Sequence, residues 1–211
     1  MRRSLALLLP LLLGLSACLG GGAPPIPRDN YYRVMVTPPA RSETLAFPGV
    51  IAVAPLEADG LLRERPLLYS ESGEALRMQQ HDYHYWIDPP TRMLQTELVD
   101  YLRGSGLALS VVTPELRVEA DFEVIGRIKR LERLLGGGPP RVVAELELAM
   151  IEREGEGDRL MIVETYAAEV RAEDDSVSSS ILAMNQALTQ IFERFLADAG
   201  RSRTAKNPAA Q

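Results

Sequence analysis

The chain has few of the side chains that form cross-links or carry out catalysis. A single cysteine among 211 residues excludes an intramolecular disulfide bond. Only two histidines are present, His81 and His84. The segment around them is predicted to be extended, and positions i and i+3 of a strand lie on opposite sides. We therefore expect no zinc site, and neither histidine lies near the Gly-x-Ser-x-Gly motif of many hydrolases.

Long apolar runs are missing from the chain beyond its N-terminus, so no later segment is expected to cross a bilayer. Basic residues are also outnumbered, with 23 Lys and Arg against 29 Asp and Glu. A net negative charge argues against nucleic-acid binding and against adhesion to anionic lipid. We expect no nucleic-acid partner.

The N-terminal segment has the layout of a secretory signal peptide. Arg2 and Arg3 precede an apolar run from Leu5 to Leu15, and small residues follow. The run is about half the roughly 20 residues that a membrane-spanning helix needs. Leu15-Ser16-Ala17-Cys18 resembles the lipobox of bacterial lipoproteins, in which the cysteine thiol is alkylated with diacylglycerol and becomes the first residue.

This resemblance predicts how the first 30 residues are divided. Residues 1–17 would be a signal peptide that is removed, and residues 18–30, rich in Gly and Pro, a lipidated flexible tether. Cys18 would carry covalent diacylglycerol and an N-acyl group, and no other cofactor is expected. Leu19, rather than Asp, follows it, which resembles the sorting signal for the periplasmic face of the outer membrane. Loss of two signal arginines leaves 21 basic and 29 acidic residues, a net charge of about −8.

Hydrophobic periodicity predicts the fold class of the remaining chain. Residues 31–199 are expected to form a single α+β (mixed α/β) domain, with one sheet that contains hairpins, a mid-chain helix, and a long C-terminal amphipathic helix packed on the sheet. A half-buried strand over 32–36 opens the domain. The C-terminal helix is predicted over 178–199 with its end at Gly200, and residues 200–211 form a disordered tail.

Shorter patterns predict the first half of the sheet. The continuous apolar run 50–54 indicates a central strand covered on both faces. Segments 66–70 and 75–80 flank a polar turn and predict a hairpin. The mid-chain helix is expected to begin with Asp88 as its cap and Pro89 as its first residue.

A longer hairpin is predicted from strands 122–131 and 142–151, which flank a glycine-rich turn. A further strand follows over 160–170, and its register stays open, with Glu164 opposite either Leu148 or Glu147. The hairpin register is specified because a one-residue slip would mix its apolar and charged faces. It pairs Arg127 with Glu147, Lys129 with Glu145, Ile128 with Leu146 and Val124 with Met150.

Four basic residues of the first long strand allow two interpretations. Arg127, Lys129, Arg130 and Arg133 could meet lipid phosphates, or they could form a charge-paired strand surface. The second interpretation is favoured, because the predicted partner strand carries glutamates opposite two of the four, Arg127 and Lys129.

Aromatic residues are concentrated in one segment. Tyr83, Tyr85 and Trp86 include two of the seven tyrosines and the only tryptophan. Such a cluster serves either as core beneath the following helix or as a partner-binding anchor. Strand alternation would place Trp86 on the face opposite Tyr85. We retain both interpretations for this segment.

Several motifs occur together in this chain: the lipobox, the opening Tyr31-Tyr32-Arg33-Val34, Ala54-Pro55, Leu61-Leu62-Arg63-Glu64-Arg65-Pro66, Tyr83-x-x-Trp86-x-x-Pro89 and the long C-terminal helix. Together they resemble the ABC-type transport auxiliary lipoproteins of the paraquat-inducible (Pqi) kind. Two departures leave the subfamily open: Trp86-Ile87-Asp88-Pro89 replaces Trp-Ala-Glu-Pro, and Leu61-Leu62 replaces Tyr-Leu.

The resemblance implies a non-enzymatic component of an ABC-type transport system that moves phospholipid or other hydrophobic molecules across the periplasm. Its implied partners are a periplasmic protein with a mammalian-cell-entry (MCE) domain, which forms the conduit, and an inner-membrane permease with its ATPase. The lipoprotein would dock the conduit at the outer membrane, and a homo-oligomer is a further expectation. The same anchor and fold would also suit a structural or assembly lipoprotein, either a chaperone or a cell-wall-binding module.

Overall fold

The structure is a computed structural model that describes residues 27–71, 77–136, 138–155 and 157–206. The predicted signal peptide, Cys18 and most of the predicted tether lie outside the described residues. The fold is α+β, as the sequence predicts. The described elements follow in chain order: β1 (Asn30–Tyr32), β2 (Phe47–Val53), β3 (Glu57–Ala58), β4 (Pro66–Ser70), β5 (Gln79–Trp86), α1 (Pro90–Ser105), β6 (Ala108–Val112), β7 (Phe122–Leu134), β8 (Arg141–Glu154), β9 (Gly157–Arg171) and α2 (Val177–Lys206).

Strand β7 organises a curled, mixed sheet. On one side β7 pairs antiparallel with β8, which in turn pairs antiparallel with β9. On its other side β7 meets three strands in succession, β2, β3 and β4, all parallel to it. The sheet therefore divides into two arms: β2 continues to β6, whereas β4 continues to β5 and then to β1.

The two helices cover the sheet and close a single hydrophobic core. Phe192 and Phe195 of α2 are fully buried, and the ring of Phe192 meets Tyr101 of α1 edge-on at 5.6 Å. Each such aromatic side chain contributes about 1.5–3 kcal/mol through its removal from water. The apolar stripes predicted for both helices are confirmed, since their members are buried: Leu94, Leu98, Tyr101 and Leu102 in α1, and Ile181, Met184, Leu188, Ile191, Phe195, Phe192 and Leu196 in α2.

The predicted register of the long hairpin is confirmed over its first half. Arg127 lies opposite Glu147, Ile128 opposite Leu146, and Val124 opposite Met150. A β-bulge then falls between Ile128 and Arg130, so that Arg130, not Lys129, faces Glu145. The prediction of a Lys129–Glu145 pair is wrong because the bulge adds one residue to β7 without a partner on β8. In the following strand, β9, Glu164 lies opposite Leu148.

The opening strand is shorter than predicted. It ends at Tyr32, and Val34 enters the core without further strand pairing. The N–H groups beyond it bond to helix side chains instead: that of Met35 donates to Asn185 Oδ1 at 3.1 Å, and that of Val36 donates to Glu97 Oε2 at 2.8 Å. These bonds satisfy backbone donors that would otherwise require a neighbouring strand.

Three other predictions concern element ends. The central strand and the first hairpin are confirmed as β2 and the β4–β5 pair, although β5 begins at Gln79 and continues through Trp86. Helix α1 begins one residue later than predicted, with Pro89 as N-cap and Pro90 as its first residue, and no side chain caps it. It ends at Ser105, and Gly106 follows as the C-cap with a φ of 67° that favours glycine.

Helix α2 does not end at Gly200. It continues to Lys206, so the predicted disordered tail is wrong for residues 200–206, and residues 207–211 lie outside the described residues. A glycine inside a helix costs only about 1 kcal/mol relative to alanine. Contacts of Arg203 offset this cost, because its guanidinium lies 5.3 Å from the ring centre of Phe122 and pairs with the carboxylate of Glu152.

Candidate functional site

The predicted aromatic segment occupies the C-terminal half of β5 and is divided between core and surface. Trp86 is only 3% exposed and belongs to the hydrophobic core. Its backbone is fixed by Arg65, whose carbonyl accepts from the Trp86 N–H at 2.7 Å and whose Nε donates to the Trp86 carbonyl at 3.0 Å. Trp86 is therefore a core residue, whereas Tyr83 is 38% exposed and Tyr85 is half-buried.

A third tyrosine joins this surface from the first strand. β1 runs parallel to β5 with Tyr31 opposite Tyr85, and their rings lie 5.7 Å apart. The guanidinium of Arg65 lies 5.3 Å from the ring centre of Tyr31, within cation–π range. We call the exposed group Tyr31, Tyr83, Tyr85, Ile87 and Arg65 the tyrosine patch. The opening motif Tyr31-Tyr32-Arg33-Val34 gave no sign of this contact with Tyr85, because a three-residue parallel strand leaves little periodicity to detect.

Two hydroxyl groups of the patch lie beside oxygen atoms of aspartates. Local desolvation, and then the nearby carboxylate of Asp29, raise the pKa of Tyr85 above its ordinary value of 10.0. The hydroxyl of Tyr31 donates to Asp29 Oδ2 at 3.3 Å, and that of Tyr85 donates to the carbonyl of Asp82. The hydroxyl groups of Tyr31 and Tyr85 are therefore hydrogen-bonded within the chain.

The two histidines lie together on β5, contrary to the sequence prediction. Their ring centres are 5.2 Å apart, because the β4–β5 pairing shifts by irregular steps between Gln80 and Tyr85 and the strand no longer alternates strictly. His84 Nδ1 shares a hydrogen bond of 2.8 Å with the hydroxyl of Tyr32.

A buried arginine holds this histidine pair against α2. Arg133 of β7 is only 4% exposed, so the expectation of a charge-paired surface is wrong at this position. Its Nε donates to Ser180 Oγ at 2.9 Å, its Nη1 to His81 Nε2 at 3.0 Å, and its Nη2 to the Asp175 carbonyl at 3.1 Å. Arg133 therefore links β5, β7 and the first turn of α2.

The electrostatics of this cluster keep His81 neutral. Burial, followed by the positive charge of Arg133, lowers the pKa of His81 to about 4. Burial also lowers the pKa of Arg133, which retains its charge. The Nε2 atom of a neutral His81 accepts a hydrogen bond from Arg133 Nη1, and His84 bonds separately to Tyr32.

A second surface feature is a shallow cavity of about 290 Å³ beside the Ala54-Pro55 motif, with Ile125, Ala149 and Val163 in its lining. Ile125 and Val163 are exposed on β7 and β9, opposite the helices. Arg127 lies at the rim, where Glu57 and Asp59 bind it at 2.7 and 2.8 Å.

The described part of the chain holds no group of three or more His, Cys, Asp or Glu side chains placed to bind a metal ion. Among these same residues, no helix has the length and apolar character required to cross a membrane.

The family model described as the ABC-type transport auxiliary lipoprotein component matches residues 32–194. The chain belongs to this family. The match covers the sheet from Tyr32 onward, all of α1, the N-terminal part of α2 up to residue 194, and the tyrosine patch except Tyr31. As a member of this family, it is a lipoprotein component of ABC-type transport.

Solved structures show the same fold in distant proteins. Protein XCC0632 from Xanthomonas campestris superimposes with a TM-score of 0.72 at 16% identity, over 85% of this chain and 100% of that chain. A structure described as an uncharacterized protein gives a TM-score of 0.63 at 13% identity, over 82% and 99% of the two chains. At these identities the similarity concerns the fold alone. No curated protein matches the chain.

Proposed function

We propose that this protein is a non-enzymatic outer-membrane lipoprotein of an MCE-linked ABC-type transport system. It would dock the periplasmic conduit at the outer membrane, in a system that moves phospholipid or other hydrophobic molecules across the periplasm. The observation that carries the proposal is the family match over residues 32–194, which begins shortly after Cys18 of the lipobox.

The arrangement of the two histidines supports a non-enzymatic role. His81 is hydrogen-bonded to Arg133, and His84 is hydrogen-bonded to Tyr32. A general base needs hydrogen-bond reach to a reacting proton and a pKa near the working pH. A pKa of about 4 makes His81 a poor base at neutral pH, and its ring is packed against Tyr69 at 4.4 Å.

An edge strand of the sheet supports the proposal that the protein binds other protein chains. β9 is a 15-residue strand that, among the described residues, pairs only with β8. An unpaired strand edge offers N–H and C=O groups to a strand from a second chain. We place the contact of a homo-oligomer, or of the conduit protein, at this edge.

Co-purification tests the proposal. The tagged protein would be isolated in mild detergent from its native membrane, with Cys18→Ala as the matched unlipidated variant. We expect the wild-type protein to recover an MCE-domain protein together with its permease and ATPase. The Cys18→Ala protein would be released from the membrane fraction and recover less of the complex. Recovery of only β-barrel or cell-wall components would contradict the transport assignment and favour the assembly role.

A further inference from the structure

We propose that the tyrosine patch rests on the phospholipid surface to which the chain is anchored, so that this end of the domain lies within the headgroup region. The inference rests on the proposed lipidation of Cys18. It names the surface that the tyrosine patch contacts, because the rings of the patch are not covered by the packing of the domain itself.

The position of the patch in the chain keeps it close to the bilayer. β1, which carries Tyr31, is the first element after the tether. The 13 residues from Cys18 to Tyr31 span at most about 45 Å when extended. As a flexible coil they have a typical end-to-end distance of about 20 Å. Such a tether keeps the nearest surface of the domain at an effective concentration in the millimolar range near the lipid.

The composition of the patch matches a membrane interface. Three of the seven tyrosines are gathered there, with exposed fractions of 55% for Tyr31 and 38% for Tyr83. Tyrosine is enriched at the headgroup level because its ring is apolar and its hydroxyl remains hydrated. Ile87, also exposed, adds an aliphatic side chain, and Arg65 has a long apolar stem with a charged end suited to phosphate.

The charges around the patch specify the kind of lipid surface. Arg65 is its one basic residue, and around it the exposed Asp29, Asp82 and Asp88 are offset by the exposed Arg28 and Arg33, so the surroundings carry no excess of positive charge. Electrostatic attraction to anionic lipid is therefore weak or unfavourable. The patch fits a surface rich in zwitterionic phospholipid, where contact depends on the aromatic rings and changes little with salt.

A fluorescent reporter beside the patch tests this contact. Lipidation consumes the only native thiol, so Asp88→Cys offers a single labelling site next to Ile87, and Leu109→Cys is the matched control on the edge strand β6. Each lipidated, labelled protein would be reconstituted into vesicles of phosphatidylethanolamine and phosphatidylcholine that contain a headgroup-quencher lipid. We expect several-fold stronger quenching at position 88 than at position 109.

Replacement of the exposed rings separates a specific contact from simple proximity. Tyr31→Ser combined with Tyr83→Ser should reduce quenching at position 88 to the control level, while vesicle flotation and far-UV circular dichroism stay unchanged. Equal quenching at the two positions, or no effect of the serine pair, would overturn the patch contact. Quenching that appears only with added phosphatidylglycerol would overturn the choice of a zwitterionic surface.

Flotation distinguishes this inference from the proposed anchor. If the wild-type protein does not float with vesicles, the anchor fails and the inference fails with it. If it floats and the reporter at position 88 remains in water, the anchor holds and the inference alone fails; a conduit protein that then shields the reporter would identify the patch as a protein-binding surface.

Discussion

At the residue scale, Arg133 is a buried charge that requires several hydrogen-bond acceptors. Its guanidinium is buried, and no carboxylate among the described residues forms an ion pair with it. A buried charge costs several kcal/mol unless polar partners replace water. Three acceptors do so: Ser180, His81 and the Asp175 carbonyl. His81 therefore helps to stabilise the buried Arg133 only while it stays neutral and can accept its hydrogen bond.

The lowered pKa of His81 makes stability depend on pH. The pKa in the folded protein is about 4, against an ordinary value of 6.5. Because the folded state disfavours the charged ring, the stabilisation is complete above about pH 6.5 and is lost as pH falls toward 4. The loss should be about 1–3 kcal/mol. We expect His81→Gln, which keeps an acceptor for Arg133, to flatten the dependence of the urea midpoint on pH between 4 and 7.

His84→Gln serves as the control for this prediction. The pKa of His84 is also lowered, by burial and by Arg133, but His84 does not bond to the guanidinium. Its replacement should leave most of the pH dependence intact. A profile that stays equally steep in the His81→Gln protein would contradict the assignment to His81.

At the element scale, β7 joins three neighbouring strands to the β8–β9 hairpin, and the ion pairs on its surface involve residues from both sides. Arg127 lies opposite Glu147 in the register, yet its guanidinium binds Glu57 and Asp59. Glu147 pairs with Lys129 at 3.6 Å instead. Register therefore does not specify the partner of a long side chain when another strand offers two carboxylates.

A double-mutant cycle checks which partner Arg127 has. Arg127→Ala combined with Glu57→Ala should show a coupling free energy of about 0.2–1 kcal/mol, the range of exposed ion pairs. The cycle of Arg127→Ala with Glu147→Ala should show almost none. Urea denaturation at low and high salt provides the measurement, and salt should weaken the first coupling. Stronger coupling to Glu147 than to Glu57 would contradict the observed pairing.

The same elements explain what the sequence could predict. The pairing of β7 with β8 and the buried stripe of α2 were accessible because each rests on a local period of apolar residues. The bulge at Lys129 and the irregular β4–β5 pairing could not be predicted, because an extra residue in a strand does not change the composition of the sequence. The contact of His81 with His84, and that of Tyr31 with Tyr85, follow from such irregular or non-local pairings. The predicted aromatic segment consequently contains Tyr83 and Tyr85 but not Tyr31, the third ring of the patch.

At the scale of the whole molecule, β1 follows the predicted tether in the chain and carries part of the tyrosine patch, whereas β9 ends a different branch of the sheet, beyond β8. An anchored protein with this arrangement would turn β1 toward lipid and leave β9 accessible to a second chain. Lipid contact and protein docking would then use separate surfaces. This separation is what a docking component on a membrane requires.

A substitution at one residue, Leu19, tests the proposed outer-membrane location of the protein. Leu19 follows the predicted lipidated cysteine, and in lipoproteins with similar signals an aspartate at this place favours retention in the inner membrane. We expect Leu19→Asp to move the protein from the outer- to the inner-membrane fraction on a density gradient, and Leu19→Ser to leave it in place. The retained protein should fold normally, because position 19 precedes the domain, but its extended tether reaches only about 45 Å. It should therefore fail to replace the wild-type protein in a deletion strain. An unchanged distribution, or full function from the inner membrane, would contradict outer-membrane docking.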